Sequence, residues 1–446
     1  MIKVKEPSVA GTFYPSGKEE LERIIKNFSE QSKNTYEVKT RAVIVPHAGL
    51  VFSGRLSYEG ISQLDASIKN LFIIAPCHRT VFKGLALSNY NRWKTPLGNI
   101  PVNKALYKEL EKKYDAKYND DAFEEEHSIE VLIPIIQTLF DGVNIVPILY
   151  GQENPSTIES IIGEYYPNEE NGFIISSDLS HFMSDKNARE LDGKTAAMIE
   201  TGNLFGMKYE QACGSVGIAG LVEYANKNKY SLIRIDMTNS SAINGDKSRV
   251  VGYGTWFLYE GEKNKFIKKY YSKFVTDLSR TILKSQFDKK PLTIHYPQVF
   301  DEPGACFITL EKEGKLRGCI GSIIAHKSLV ADIVENTRNA AFNDYRFNPV
   351  EESELDDLKI SVSVLTPPEK IDFSDEPDLL NKIVPKKDGI IIKDGKYQAV
   401  YLPSVWEELP DKKEFLNSLK IKAGLHSDYF SYTIQAFRFR TIYIKE

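Results

Sequence analysis

The sequence predicts an α/β protein: a layered, largely parallel sheet with flanking helices over residues 1–262, joined to a smaller α+β domain with antiparallel strands over 263–446. Three observations predict it. Five Ile- and Val-rich runs in the first part do not alternate in polarity, which is how strands buried on both faces read. Amphipathic stretches separate these runs, and alternating strand and helix favour a parallel sheet. The second part changes to period-two runs joined by short glycine turns, the pattern of antiparallel hairpins.

The expected strands of the first part are 41–46 (RAVIVP), 71–76 (LFIIAP), 144–150 (NIVPILY), 172–177 (GFIISS) and 231–236 (SLIRID), with 252–259 (GYGTWFLY) as a closing strand. Helical patterns fall at 18–28, 128–140, 188–201 and 217–228, and Pro134 predicts a kink in the second of these. The charged stretch 260–269 (EGEKNKFIKK) marks the boundary near residue 262, with a helix expected over 266–287. Beyond it, 305–310 and 316–320 flank a glycine turn, 329–342 reads as a helix, 359–365 alternates, and Asp394-Gly395 joins 389–393 to 397–401 as a second hairpin.

Composition narrows the function. The chain of 446 residues is long enough for two or three domains, and 42% apolar residues exclude disorder. A net charge of −4 provides no global field for nucleic acid. The apolar runs are too short to span a bilayer, and the first residues lack a signal-peptide stretch, so no membrane role is expected. Four cysteines are too few for a disulfide framework, so the expectation is a cytoplasmic protein with reduced thiols.

Chemistry gathers at strand ends, where ligands bind in open α/β sheets. The first strand exits into His47-Ala48-Gly49, the second into Cys77-His78-Arg79, and the 172–177 run into Asp178-Leu179-Ser180-His181. A lone histidine after a strand is usually only a polar surface residue, but one sheet edge would collect all three exits. Two histidines and an anionic ligand suit a transition metal with open positions. The anion is Asp178, a glutamate or Cys213. Cys213 sits in a glycine-flanked turn (QACGSVG) before a helix start, where thiolate is favoured; without those glycines a buried structural cysteine would be the plainer reading. A Cys/His nucleophile pair fits the same residues. His127, in the run EEEHSIE, is expected either in a solvated helix start or beside a ligand, where it or Glu130 orients groups or moves protons. His295, His326 and His426 lack supporting context and read as surface residues.

The segments VAGTFYP (9–15), PHAG (46–49), EHSIE (126–130), SSD with His181, and Cys213-Gly214 resemble, in that order, the Memo family, over about residues 1–260. The resemblance implies a fold similar to class III extradiol dioxygenases, a metal held by His47, His78 and Cys213, and Asp178, His181 and His127 as catalytic pocket residues. The dioxygenases use a carboxylate where this family has cysteine, and a thiolate makes a site softer, so iron(II) is the expected metal with copper or zinc as substitutes. LRGCIG (316–321), followed by AAFND (340–344) and Arg346-Phe347, resembles the AMMECR family over about 265–446. The pair resembles the AmmeMemoRadiSam system, which implies a separate radical S-adenosylmethionine partner; the cysteines at 77, 213, 306 and 319 are too far apart to hold such a cluster in this chain. Arg317 and Arg79 are the substrate-binding candidates, Arg317 because its glycine neighbours allow close approach to an anion. Three functions compete: a metal-dependent oxidoreductase on a small organic, dioxygenase-type substrate, a metal-holding scaffold that binds a peptide or protein without turnover, and a metal-free Cys/His hydrolase.

Overall fold

The computed structural model describes residues 2–32, 36, 38–204, 206–288 and 293–446. The chain divides into two compact units, Met1–Lys263 and Asn264–Glu446. Among the described residues, the strands of the first unit are β1 (Val4–Lys5), β2 (Ala42–Val45), β3 (Asn70–Pro76), β4 (Leu85–Leu87), β5 (Arg92–Thr95), β6 (Gly98–Pro101), β7 (Lys117–Tyr118), β8 (Asn144–Tyr150), β9 (Asn171–Ser176), β10 (His181–Met183), β11 (Ser231–Asn239) and β12 (Val250–Tyr259). The large sheet runs β10-β12-β2-β9-β3-β8-β4-β7, with β11 also on β12.

Its centre, β2-β9-β3-β8, is parallel. These four strands are almost wholly buried, as their unbroken apolar runs require. Because they are parallel, their carboxyl ends share one edge, and β9 places Ser176-Ser177-Asp178 between the exits of β2 and β3. The run at 231 is not part of this parallel core: β11 and β12 pair antiparallel with each other, and β12 pairs antiparallel with β2. The expected helix at 128–140 is a 3₁₀ turn, Glu130–Leu132, followed by the α-helix Ile133–Leu139. Pro134 therefore stands in the first turn, where its missing N–H costs nothing, and it starts a helix rather than kinking one. Further helices cover Leu50–Ile61, Asp185–Thr201 and Ser215–Asn228.

In the second unit the helix Lys263–Asp288 precedes β13 (Cys306–Lys312), β14 (Lys315–Gly321), β15 (Leu358–Leu365), β16 (Glu369–Ile371), β17 (Gly389–Asp394), β18 (Tyr397–Tyr401), β19 (Gln435–Phe439) and β20 (Thr441–Lys445). Two antiparallel sheets result, β14-β13-β15-β20 and β16-β19-β17-β18. The first hairpin turns through Glu313 (φ 52°) and Gly314 (φ 74°), the left-handed pair that matches strand twist.

The RGCIG strand is an edge, and its motif residues are spent on holding that edge. A Cβ on Gly318 would lie 2.0 Å from the Ala340 carbonyl oxygen, so only glycine lets the strand pack on helix Leu329–Phe342. Asp344 accepts the Cys319 N–H at 2.9 Å while Arg346 donates to the Cys319 carbonyl at 3.0 Å, closing backbone groups that would otherwise invite another strand. Arg317 donates to Glu354 from Nε (3.0 Å) and Nη2 (2.8 Å), and to the carbonyls of Asn348 (2.9 Å) and Pro349 (3.2 Å). All three guanidinium nitrogens are thus engaged inside the unit, which is the work of a bracket for the 348–354 loop. Arg317→Ala is expected to lower the unfolding free energy by about 1–3 kcal/mol, the range for a lost part-buried charged hydrogen bond. An unchanged urea midpoint in the full chain would show that the bracket carries no stability.

Candidate metal centre

The edge formed by β2, β9 and β3 brings together His47, His78 and His127. Among the described residues these are the three side chains whose ligand atoms lie within 4.8 Å of one another. Their ring centroids are 5.2 Å (His47–His78), 5.4 Å (His47–His127) and 4.9 Å (His78–His127) apart.

Hydrogen bonds decide which nitrogen each ring offers. Ser176 Oγ lies 2.6 Å from the Ser128 carbonyl and 2.7 Å from His47 Nδ1. The carbonyl can only accept, so the one hydroxyl proton goes there, and Ser176 Oγ must accept from Nδ1–H. That leaves the His47 lone pair on Nε2, which faces the Cys213 sulfur at 3.3 Å. His78 Nδ1 is 3.0 Å from Glu126 Oε1, and Glu126 also accepts the His78 backbone N–H. Burial disfavours the Glu126 charge, but the bonds from His78 and Ser128 outweigh it and hold the carboxyl at about 2. An ionised acceptor fixes the proton on Nδ1, so His78 also presents Nε2. These are the outer contacts that orient imidazole ligands at metal sites. His127 Nδ1 lies 3.3 Å from Glu126 Oε1, but is not aligned with it and is a buried ring nitrogen without a hydrogen-bond partner.

Charge is kept off the rings of His47 and His127. Burial, then the neighbouring imidazoles, pushes His47 well below the usual histidine range, and burial takes His127 to about 4. Neutral imidazole is the ligating form. Asp178 accepts the His47 backbone N–H at 2.8 Å, and burial raises its carboxyl to about 7. His181 donates Nδ1–H to the Leu179 carbonyl at 2.8 Å, which leaves its Nε2 with a lone pair as well.

Cys213 stands just before the helix Ser215–Asn228 because Gly214 permits it: a Cβ there would lie 2.4 Å from Ser177 Cβ and 2.7 Å from the Ser176 carbonyl oxygen. The helix start does not make the free thiol acidic as expected. Burial, with the Asp178 charge, pushes it up instead. Cys77 is directed elsewhere, its sulfur 3.6 Å from the Ala122 carbonyl oxygen.

The remaining sequence candidates separate. Arg79 is exposed, and its charge acts on His127. Arg317 belongs to the second unit's edge bracket. His295, His326 and His426 are exposed. Glu130 proves to be a clamp: its buried carboxylate takes Lys5 Nζ (2.6 Å), the N–H groups of Ser8 and Val9 (both 2.9 Å) and Tyr14 OH (2.9 Å). This holds the 9–15 segment so that the Phe13 ring lies 4.5 Å from His127. Glu126, Ser128 and Ser176 lie in the EHSIE and SSD segments, where Ser128 reads only as a possible helix cap; the acidic residue beside His127 is the available signal of their part in the site.

Three imidazoles with a thiol at hand, at the carboxyl edge of a parallel sheet, define a candidate metalloprotein. A family model described as Memo-like protein matches residues 5–257, and the AMMECR1 model matches 276–444. The chain belongs to the Memo-like family and carries an AMMECR1 domain after that region. It is 34% identical to the MEMO1 family protein Ta0237 of Thermoplasma acidophilum over 56% of this chain and 97% of the relative. A MEMO1 family protein of Aquifex aeolicus is 29% identical over 58% of this chain and its own full length. Protein MJ0810 of Methanocaldococcus jannaschii is 35% identical over 39% of this chain and 89% of its own.

The donor set suits a transition metal: fixed Nε2 lone pairs on His47 and His78, an unpartnered buried Nδ1 on His127, and a thiol that coordination would deprotonate. Glu126→Gln is expected to retain the fold and lose about 10–100-fold in zinc affinity, as other outer-contact changes do. Competition titration with a chromophoric chelator measures it; unchanged affinity would show that Glu126 does not tune His78.

Proposed function

We propose that the first unit holds one divalent transition metal, iron(II), and acts as a dioxygenase-type oxidoreductase on a small organic substrate, in company with a separate radical S-adenosylmethionine protein. The observation that carries this is the convergence of proton-locked imidazoles at the β2/β9/β3 edge. His47 and His78 are the constant pair of ligands, with Cys213 as the anionic third. Iron(II) there supplies open coordination positions and one-electron chemistry. The chain's own groups then handle protons and orientation. Asp178, with its carboxyl at about 7, and His181, with an open Nε2, can hold or accept a proton beside the centre. Phe13, on the segment that Glu130 clamps, packs its ring against that of His127.

The 3.3 Å contact between Cys213 and His47 also favours a metal-free nucleophile–base pair. Against it, the thiol is pushed up and the imidazole down, so the pair is neutral rather than thiolate–imidazolium.

Metal content by mass spectrometry, with folding checked by circular dichroism, tests the proposal. His47→Ala, His78→Ala and Cys213→Ser are each expected to lose the metal, and His127→Ala to keep it. Metal lost in His127→Ala and kept in Cys213→Ser moves the third ligand to His127. Full metal in folded His47→Ala or His78→Ala would overturn the site.

A further inference from the structure

In the second unit the helix Leu329–Phe342 has two sides with different surroundings. Ile333, Asn336, Thr337, Ala340 and Ala341 are buried, and Gly318 of β14 packs on the helix at Ala340. Val330, Val334 and Arg338 recur every four residues, which sets them in one row along the helix. This row, ending at Asn343, lines an open cavity of about 410 Å³ together with Ile294 and Tyr296. That volume falls in the range of sites for small organic molecules.

The lining is apolar with one unanswered charge. Val330 is buried, and Val334 and Ile294 are half-buried. Tyr296 is tethered by its hydroxyl to Asp301 Oδ1 at 2.8 Å. The charged residues of the lining are Arg338 and Glu335. They stand three positions apart on the helix, within reach of each other, yet Glu335 pairs with Lys327 instead. Asp332 is also committed, to the Cys306 N–H (2.8 Å) and the Ser322 hydroxyl (2.6 Å). Arg338 is exposed and has no hydrogen bond or ion pair among the described residues. Beside it, Asn339 Oδ1 accepts from Asn343 Nδ2 at 2.9 Å, so Asn339 turns its own amide N–H groups outward as further donors.

We propose that this cavity of the second unit binds a small carboxylate with an apolar body of about the size of one aromatic ring. Arg338 takes the two carboxylate oxygens in its fork, and Asn339 Nδ2 adds a donor. Val330, Val334, Ile294 and Tyr296 take the body. One guanidinium and a neutral amide balance a single negative charge, which favours a carboxylate over a doubly charged phosphate. The proposal does not depend on the metal centre of the first unit.

Saturation-transfer NMR titration of the full chain with 3-phenylpropionate, 3-phenylpropionamide and phenyl phosphate tests it. The chain is first treated with a chelator, so that no bound metal captures the carboxylate. The acid is expected to bind about tenfold more tightly than its amide, the effect of one charge-assisted hydrogen-bond pair. Arg338→Gln is expected to remove that preference at an unchanged melting temperature, since the side chain is exposed. Val334→Gln is expected to weaken acid and amide alike; Ile294→Gln repeats this test should Val334→Gln fail to fold. No binding of the acid, equal binding of acid and amide, or an Arg338→Gln change below twofold would overturn the proposal. So would floor variants that fold and bind as tightly as the parent chain. Tighter binding of phenyl phosphate would overturn the carboxylate assignment.

Discussion

The hydroxyl proton of Ser176 is the constraint on which the centre turns. It can be used once. Because it goes to the Ser128 carbonyl, the imidazole of His47 must keep its own proton on Nδ1 and direct its lone pair into the site. Ser128 is in turn tied by its hydroxyl to the Pro76 carbonyl at 2.9 Å, at the end of the strand that carries His78. One short chain of hydrogen bonds therefore links the exits of β2, β9 and β3 and sets the polarity of a ligand. The parallel sheet supplies the platform, since only parallel strands deliver three exits to a common edge.

The same dry setting explains the electrostatics. Burial lowers His47 and His127 and raises Asp178 and Cys213, so charge on these four groups is disfavoured. Glu126 is the exception and stays ionised because donors surround it. The buried His47 and Cys213, with the fixed Glu126 carboxylate close behind His78, form a donor set that a cation would relieve.

Much of this was legible before the fold. The double-sided burial of β2, β3, β8 and β9 shows in their unbroken apolar runs, and parallel pairing then places His47, His78 and Asp178 on one edge. The hairpins at 313–314 and 394–395 follow from their glycines. What was not legible depends on long-range pairing. Ser176 meets residues 48 and 129 positions away, and Glu126 meets His78 across 48. Nothing local marks a serine as a tautomer lock. The acidity of Cys213 was read from its helix start, but burial, which sequence does not display, dominates. The glycines beside Arg317 signal close backbone approach but not to what: Gly318 packs on helix Leu329–Phe342, and Gly321 on Cys306 and Phe307 of β13.

X-ray absorption of the zinc-loaded full chain addresses the central claim most directly, because it reads the donors themselves. The account predicts imidazole scattering at about 2.0–2.1 Å with a single sulfur at about 2.3 Å. A shell of oxygen donors alone, without imidazole, would contradict it.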